Sequence, residues 1–389
     1  MAQAQRFSTQ ARRARAVARL GARAGGVGDV VERLVAVHAT DPATVYLAVA
    51  ARLADPDTAV AAVERELYAQ PAALTRMLAM RRTMFVVRRA FAPEVYAAAG
   101  RRIAVKERKN LLAHLAEGGG WDAAWLDEVE AEVTAALVAH PESSGAELSR
   151  LVPRLREQIV VARGKPYEAT QNVASRIIRT MAAEGRIERR RPAGSWTSGQ
   201  FRWAKAEPLP EVPAEPARAA LAKTWLGAYG PGTEADLKWW TGWTLGETRK
   251  ALGAVGAQAV VLDDGATAYV LPGDAYPSEA PAGPPTVQLL PALDPAAMGW
   301  QDRAWFLPDS RDGLFDRTGN IGPTVWWDGE VIGAWAQRAD GSVAWHRLAD
   351  RGTAACAAVD EAAHALAALL GDVRVTPRFR TPLERALSA

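Results

Sequence analysis

Arg186-Ile187-Glu188-Arg189-Arg190-Arg191, the stretch Pro192-Ala193-Gly194-Ser195-Trp196-Thr197-Ser198-Gly199, and Phe201-Arg202-Trp203-Ala204 decide the fold class. The flanks read as two strands, and the Pro/Gly/Ser-rich middle reads as the turn that pairs them. Upstream, apolar residues at helical spacing predict a long helix over Ala123 to Ala139. Ser143-Ser144-Gly145 opens a short helix, Ala146 to Val152, and a third helix is expected from about Tyr167 to Glu184, stopped by Gly185. Three helices followed by a basic two-stranded hairpin is the order of a winged helix.

The same order is legible on both sides. In the first part of the chain Ser8 or Thr9 caps a helix, and Val30, Val31, Leu34, Val35 and Val37 have helical spacing. Asp41-Pro42 is a strong helix start, with Asp41 as N-cap and Pro42 in the first turn. A further helix and a β-like stretch through Met84-Phe85-Val86-Val87 follow. Gly118-Gly119-Gly120 closes that module, and Pro208, Pro210, Pro213 and Pro216 form a stiff linker after the second. Beyond it, Thr233 caps a helix, Leu245 to Leu252 forms another, and Ala257–Leu262 pairs with Ala266–Leu271 across Asp263-Asp264-Gly265. From Thr286 the chain reads as short strands with Asp328-Gly329 and Asp340-Gly341 turns, then a helix from Ala354 to Leu370, with Val373-Arg374-Val375 closing the domain. The expectation is an α+β chain: three tandem winged-helix domains (1–120, 121–208, 209–284) and a small C-terminal β-barrel (285–389).

Charge distribution points to the partner. Arg150 to Lys205 carries thirteen basic residues and four glutamates, and Met1 to Gly28 has six arginines and no acid. Clustered cations of this kind fit a phosphate-bearing partner, although an Arg-rich solvated surface gives the same count. The lone Cys356 excludes an internal disulfide or a thiolate cluster, reads as a buried thiol, and suits a reducing cytoplasm. The N-terminal arginines precede no apolar run, so no secretory signal is expected; nor is any membrane-spanning segment. A phosphate-cradling Gly-rich loop, a His-Glu-x-x-His helix and metal-spaced Cys/His pairs are all missing, so neither cofactor nor metal is expected.

His38, Thr40 and Asp41 form the most suggestive polar cluster, at the N-terminal end of a helix. Two readings stand. Asp41 or Thr40 caps the helix and His38 is incidental; or a carboxylate and a neutral imidazole together hold a water facing a cation. The second is what hydrolysis of an N-glycosidic bond requires, since its transition state resembles an oxocarbenium ion. No lysine occurs from Met1 to Ala104, which removes a Schiff-base nucleophile from the first module.

Several stretches resemble one family. Leu34-Val35-Ala36-Val37-His38-Ala39-Thr40-Asp41-Pro42, Met80-Arg81-Arg82-Thr83-Met84-Phe85-Val86-Val87, Thr233-Glu234-Ala235-Asp236-Leu237-Lys238-Trp239-Trp240-Thr241-Gly242, Leu290-Pro291-Ala292-Leu293-Asp294-Pro295 and Phe315-Asp316-Arg317-Thr318-Gly319-Asn320-Ile321-Gly322-Pro323 look like the AlkZ/YcaQ group of bacterial winged-helix DNA glycosylases, in order along nearly the whole chain. The resemblance implies a C-shaped arrangement around a DNA-sized concavity and excision of alkylated purines, interstrand crosslinks included. Members of that group carry Gln-x-Gln or Gln-x-Asp where this chain has His38-Ala39-Thr40. His38, Thr40 and Asp41 are thus the candidate catalytic residues. Arg81, Arg82, Arg176, Arg189, Arg190, Arg191, Arg303, Arg317 and Asn320 are the candidate DNA contacts. The expected protein is a monomeric, monofunctional glycosylase acting on double-stranded DNA in the cytoplasm, at the nucleoid. The alternative is a non-catalytic DNA-binding regulator or damage sensor.

Overall fold

The computed structural model describes residues 5–161, 164–166, 168–274 and 284–389; Arg163 and Tyr167, used above, lie outside them. Strand β1 (Arg6–Phe7) leads into α1 (Thr9–Ala16), whose first turn is closed by Ser8 accepting from the Ala11 amide at 3.1 Å. Then come α2 (Val27–Arg33), β2 (Val37–His38), α3 (Pro42–Ala50), α4 (Ala59–Tyr68), β3 (Leu74–Ala79) and β4 (Thr83–Arg88). Val35, expected in a helix, instead has a left-handed φ of 64° and turns the chain from α2 into β2. The sheet order is β2-β4-β3. Helices α5 (Ala92–Val95) and α6 (Arg101–Gly119) run on, joined by a π-turn, to Gly120.

The second module repeats this plan: α7 (Ala123–Ala139), β5 (Ser143–Ser144), α8 (Gly145–Leu151), then β6 (Gln158–Val161), β7 (Ala169–Asn172), α9 (Ala174–Ala183), β8 (Ile187–Pro192) and β9 (Phe201–Lys205), with sheet order β5-β9-β8. Ser144 and Glu147 form a capping box on α8. The expected third helix starts later than its periodicity suggested, because the Ile159-Val160-Val161 run pairs with Ala169-Thr170-Gln171 as an inserted hairpin. The third module has α10 (Ala214–Tyr229), α11 (Glu234–Thr241), α12 (Leu245–Ala254), β10 (Gln258–Leu262) and β11 (Thr267–Val270), and a bridge between Gly232 and Tyr269 takes the place of its first strand. Strand β1 adds to this sheet, parallel to β10, with Arg6 opposite Val261.

The C-terminal part holds β12 (Val287–Leu290), α13 (Pro295–Met298), β13 (Thr324–Trp327), β14 (Glu330–Gln337), β15 (Val343–Arg347), α14 (Thr353–Leu370) and α15 (Pro382–Ser388). It is not a barrel. The strands form an open antiparallel sheet in order β12-β13-β14-β15, and β15 never meets β12. Residues 373–375, expected to close it, form no strand; the Gln337 side chain donates to the Val373 carbonyl (3.1 Å) and accepts from the Val375 amide (2.8 Å). Helix α14 lays Ala355, Val359, Ala363 and Leu370 toward the sheet. By length and composition this helix is apolar enough to cross a membrane, contrary to the expectation that no segment would be. Cys356 on it is half-buried rather than buried.

The core is divided. Modules one and three and the C-terminal part share one cluster, running from Leu34 and Val86 through Trp225 and Trp240 to Trp300 and Phe306. The second module keeps its own, from Leu111 and Val129 to Ile177 and Ile187. The first module is tied to the C-terminal part by a buried bidentate pair: Arg52 Nη2 and Nη1 reach Asp294 Oδ1 and Oδ2 at 2.7 and 2.9 Å.

Candidate active site and nucleic-acid interface

Pairing of β2 with β4 places His38 opposite Phe85, and the two rings lie 4.8 Å apart. His38 is only 5% exposed, and its Nδ1 finds no hydrogen-bond partner among the described residues. Burial, then the nearby charge of Arg81, hold its pKa down to about 3. The imidazole is therefore neutral across the physiological range. Two residues on, Thr40 also has its hydroxyl oxygen buried without a partner. Two unsatisfied polar atoms this close in sequence are costly unless something binds them, and water is the simplest candidate.

Asp41 is differently engaged. Its Oδ1 accepts from the Ala43 amide (3.1 Å), capping α3, and its Oδ2 accepts from the Arg378 amide (2.9 Å). Burial raises its pKa while those two amides oppose the rise. The carboxylate thus holds the first helix turn to the C-terminal tail. The fully buried residues of α3 put this positive helix end inside the molecule.

Arg81 and Arg82 form the β3–β4 turn with left-handed φ values of 53° and 62°, a conformation rare for arginine and typical of functional loops. The Arg81 guanidinium lies 4.0 Å from the Trp239 ring, and Arg303 lies 5.1 Å from the same ring and 5.5 Å from Phe315. Burial, joined at Arg81 by the charge of Arg303, pushes both arginines down to about 10. Both stay charged at neutral pH. First-module, third-module and C-terminal residues thus converge beside His38.

The remaining candidates scatter. Arg82 pairs with Glu107 (2.9 Å), Arg176 bonds Gln171 (3.0 Å) and the His114 ring (3.1 Å), and Arg317 is exposed. Asn320 is occupied within its own loop by Asp316 and Thr318, at 2.9 Å each. Of the three consecutive arginines of β8, Arg191 is exposed beside Glu64 (3.3 Å) and Arg189 is half-buried over Phe201 and Trp203. Arg190 is buried and belongs to the structure rather than to a DNA surface: it bonds the Tyr68 carbonyl (2.7 Å) and Glu142 (3.0 Å).

Sequence reading missed Trp196, whose ring lies tilted against Tyr46 of α3 at 5.0 Å, and Arg76, which is buried over Phe201 at 4.4 Å. Arg76 shares its strand face with Leu74, so period-2 alternation flags a charge pointing inward.

The family model described as DNA glycosylase AlkZ-like matches residues 31–369. This chain belongs to the AlkZ-like DNA glycosylase family. The Streptomyces sahachiroi DNA glycosylase AlkZ is similar in fold, with a TM-score of 0.68 and 23% identity over 96% of this chain and 100% of that one. No curated protein matches. Membership of this family implies a DNA N-glycosylase, a hydrolase whose substrate is DNA.

Proposed function

We propose that this AlkZ-like glycosylase removes purines made cationic by N7-alkylation, bulky and crosslinking adducts included, and does so as a monofunctional enzyme. The observation that carries this is the buried His38, with its unpartnered Nδ1 and depressed pKa, followed closely by the unpartnered Thr40 hydroxyl. In the tautomer protonated on Nε2, Nδ1 accepts from a water, and Thr40 fixes that water further. A base of pKa about 3 orients water but takes its proton poorly. The same imidazole cannot act as the acid that protonates a departing base at neutral pH. The leaving group must then already carry positive charge, as N7-alkylguanine does: the glycosidic bond breaks with its electron pair going to the base, which leaves neutral, and the sugar cation captures the ordered water, whose proton passes on to solvent. Asp41 positions the pair by fixing the start of α3.

In this reading the three repeated modules are winged helices facing a DNA-sized concavity. The chain works as a monomer on double-stranded DNA in the cytoplasm, at the nucleoid. A non-catalytic damage sensor is the second reading, favoured by Asp41, whose two oxygens are both occupied by backbone amides. Incubation with a duplex containing N7-methylguanine separates them. Released base with an intact strand, lost on His38→Ala while DNA affinity holds, supports the enzyme. Tight binding without release supports the sensor. A borohydride-trapped adduct, or uracil released as fast as N7-methylguanine, would refute the mechanism.

A further inference from the structure

Between the β3–β4 hairpin and the second module, a cavity of about 140 Å³ is walled by Arg76, Arg179 and Arg189 among apolar side chains. Arg76 lines it, 6% exposed, with one nitrogen on the Tyr68 hydroxyl (3.3 Å) and its Nε and Nη2 buried without a hydrogen-bond partner among the described residues. Arg76 and Arg189 flank the same Phe201 ring, at 4.4 and 5.1 Å. Arg179 is exposed. The acidic residue in the wall, Glu188, is already held by Arg89 (3.0 Å) and Arg190 (3.4 Å). Burial, and then the like charges of Arg76, Arg378 and Arg179, lower the Arg189 pKa, with Tyr68 opposing them.

Cations gathered without counter-charge, one of them buried with two idle donors, are expensive unless an anion completes them. The planar fork of arginine matches phosphate oxygens in particular. We infer that this cavity is a phosphate-binding site, with Arg76 as the buried donor and Arg179 and Arg189 closing on the same anion. The source its position favours is a backbone phosphate of the DNA strand gripped between the first and second modules. That assignment rests on the DNA reading above, but the site itself does not depend on catalysis.

Two measurements on the full chain test it. The first is the melting temperature in inorganic phosphate against chloride at matched ionic strength, for the wild type and Arg76→Met. The Met stem keeps the apolar contact with Phe201, and removing an uncompensated charge is expected to leave the unliganded melting point unchanged or higher. The wild type should gain a saturable stabilisation that the variant lacks. The second is the salt dependence of affinity for an undamaged duplex, whose slope should fall by about 0.9 in the variant. Arg179→Gln, at an exposed position, gives the same readouts should Arg76→Met fail to fold. A phosphate-specific stabilisation with an unchanged DNA slope supports the site and assigns it to free phosphate. Equal phosphate shifts and equal slopes in variant and wild type overturn it. A reduced slope in a protein that releases no base leaves the site standing and removes only the glycosylase mechanism.

Discussion

Replacing His38 by Gln should make the first module less sensitive to acid. The buried imidazole has a pKa of about 3, against 6.5 for the free side chain. Its folded value is the lower one, so on acidification the unfolded chain takes up the proton first. The stability that neutral His38 permits is fully present above pH 6.5 and is lost progressively as pH falls toward 3. Two-state linkage gives a loss of about 2 kcal/mol at pH 5 and about 3 kcal/mol at pH 4. His38→Gln has no such proton to gain, so its stability curve should diverge upward from the wild type by those amounts. Asp41, raised by burial, titrates in the opposite sense and is common to both proteins, so it cancels in the difference. Urea unfolding at pH 7.5, 6, 5 and 4, with hydrogen exchange at the α3 amides as the local probe, reads the effect. Curves that stay parallel from pH 7.5 to 4 would show that His38 is not held neutral by its surroundings, and the leaving-group argument would go with it.

Other outcomes follow from single contacts. His38→Ala should lower base release by about 100- to 10,000-fold, with DNA affinity within a few fold. Asp41→Asn should keep release within a few fold but cost about 1–3 kcal/mol in melting experiments, because Asn still caps α3 while an amide cannot satisfy both Ala43 and Arg378 as acceptor. Asp294→Ala, which strands the buried Arg52, should cost about 3–5 kcal/mol by denaturant titration without touching the DNA salt slope. Arg190→Ala should lower the melting point and leave that slope unchanged, whereas Arg191→Ala should do the reverse.

Much of this architecture was legible because local signals agreed with the tertiary outcome. Asp41-Pro42 started α3, Thr233 capped α11, and the helix over Ala123–Ala139 matched its apolar spacing. Signals failed where a long-range partner decided. Thr170, inside the expected helix, sits in a hairpin because Val160 lies opposite it. Residues 373–375 look like a strand, but the Gln337 amide takes their polar groups. Arg189, Arg190 and Arg191 must alternate faces on a strand, yet which of them turns inward depends on the Tyr68 carbonyl, remote in sequence. For the site, the His38–Thr40 pair could be named from the sequence. The engagement of Asp41 with the Arg378 amide could not, since 337 residues separate them.

The apolar cluster of the second module is separate from the larger one, and it takes in Leu111 and Leu115 of α6 as well. The β8–β9 hairpin, with Trp196 in its turn, meets the first module through polar and aromatic contacts that include Arg89 with Glu188, Arg190 with the Tyr68 carbonyl, and Trp196 with Tyr46. Contacts of that kind part more readily than a continuous apolar core. His38, packed against Phe85, lies in the larger body and outside that second cluster. For an enzyme that works as proposed above, such an arrangement lets grip and chemistry drift apart under mutation: substitutions inside this hairpin should retune DNA affinity and leave His38 and Thr40 undisturbed.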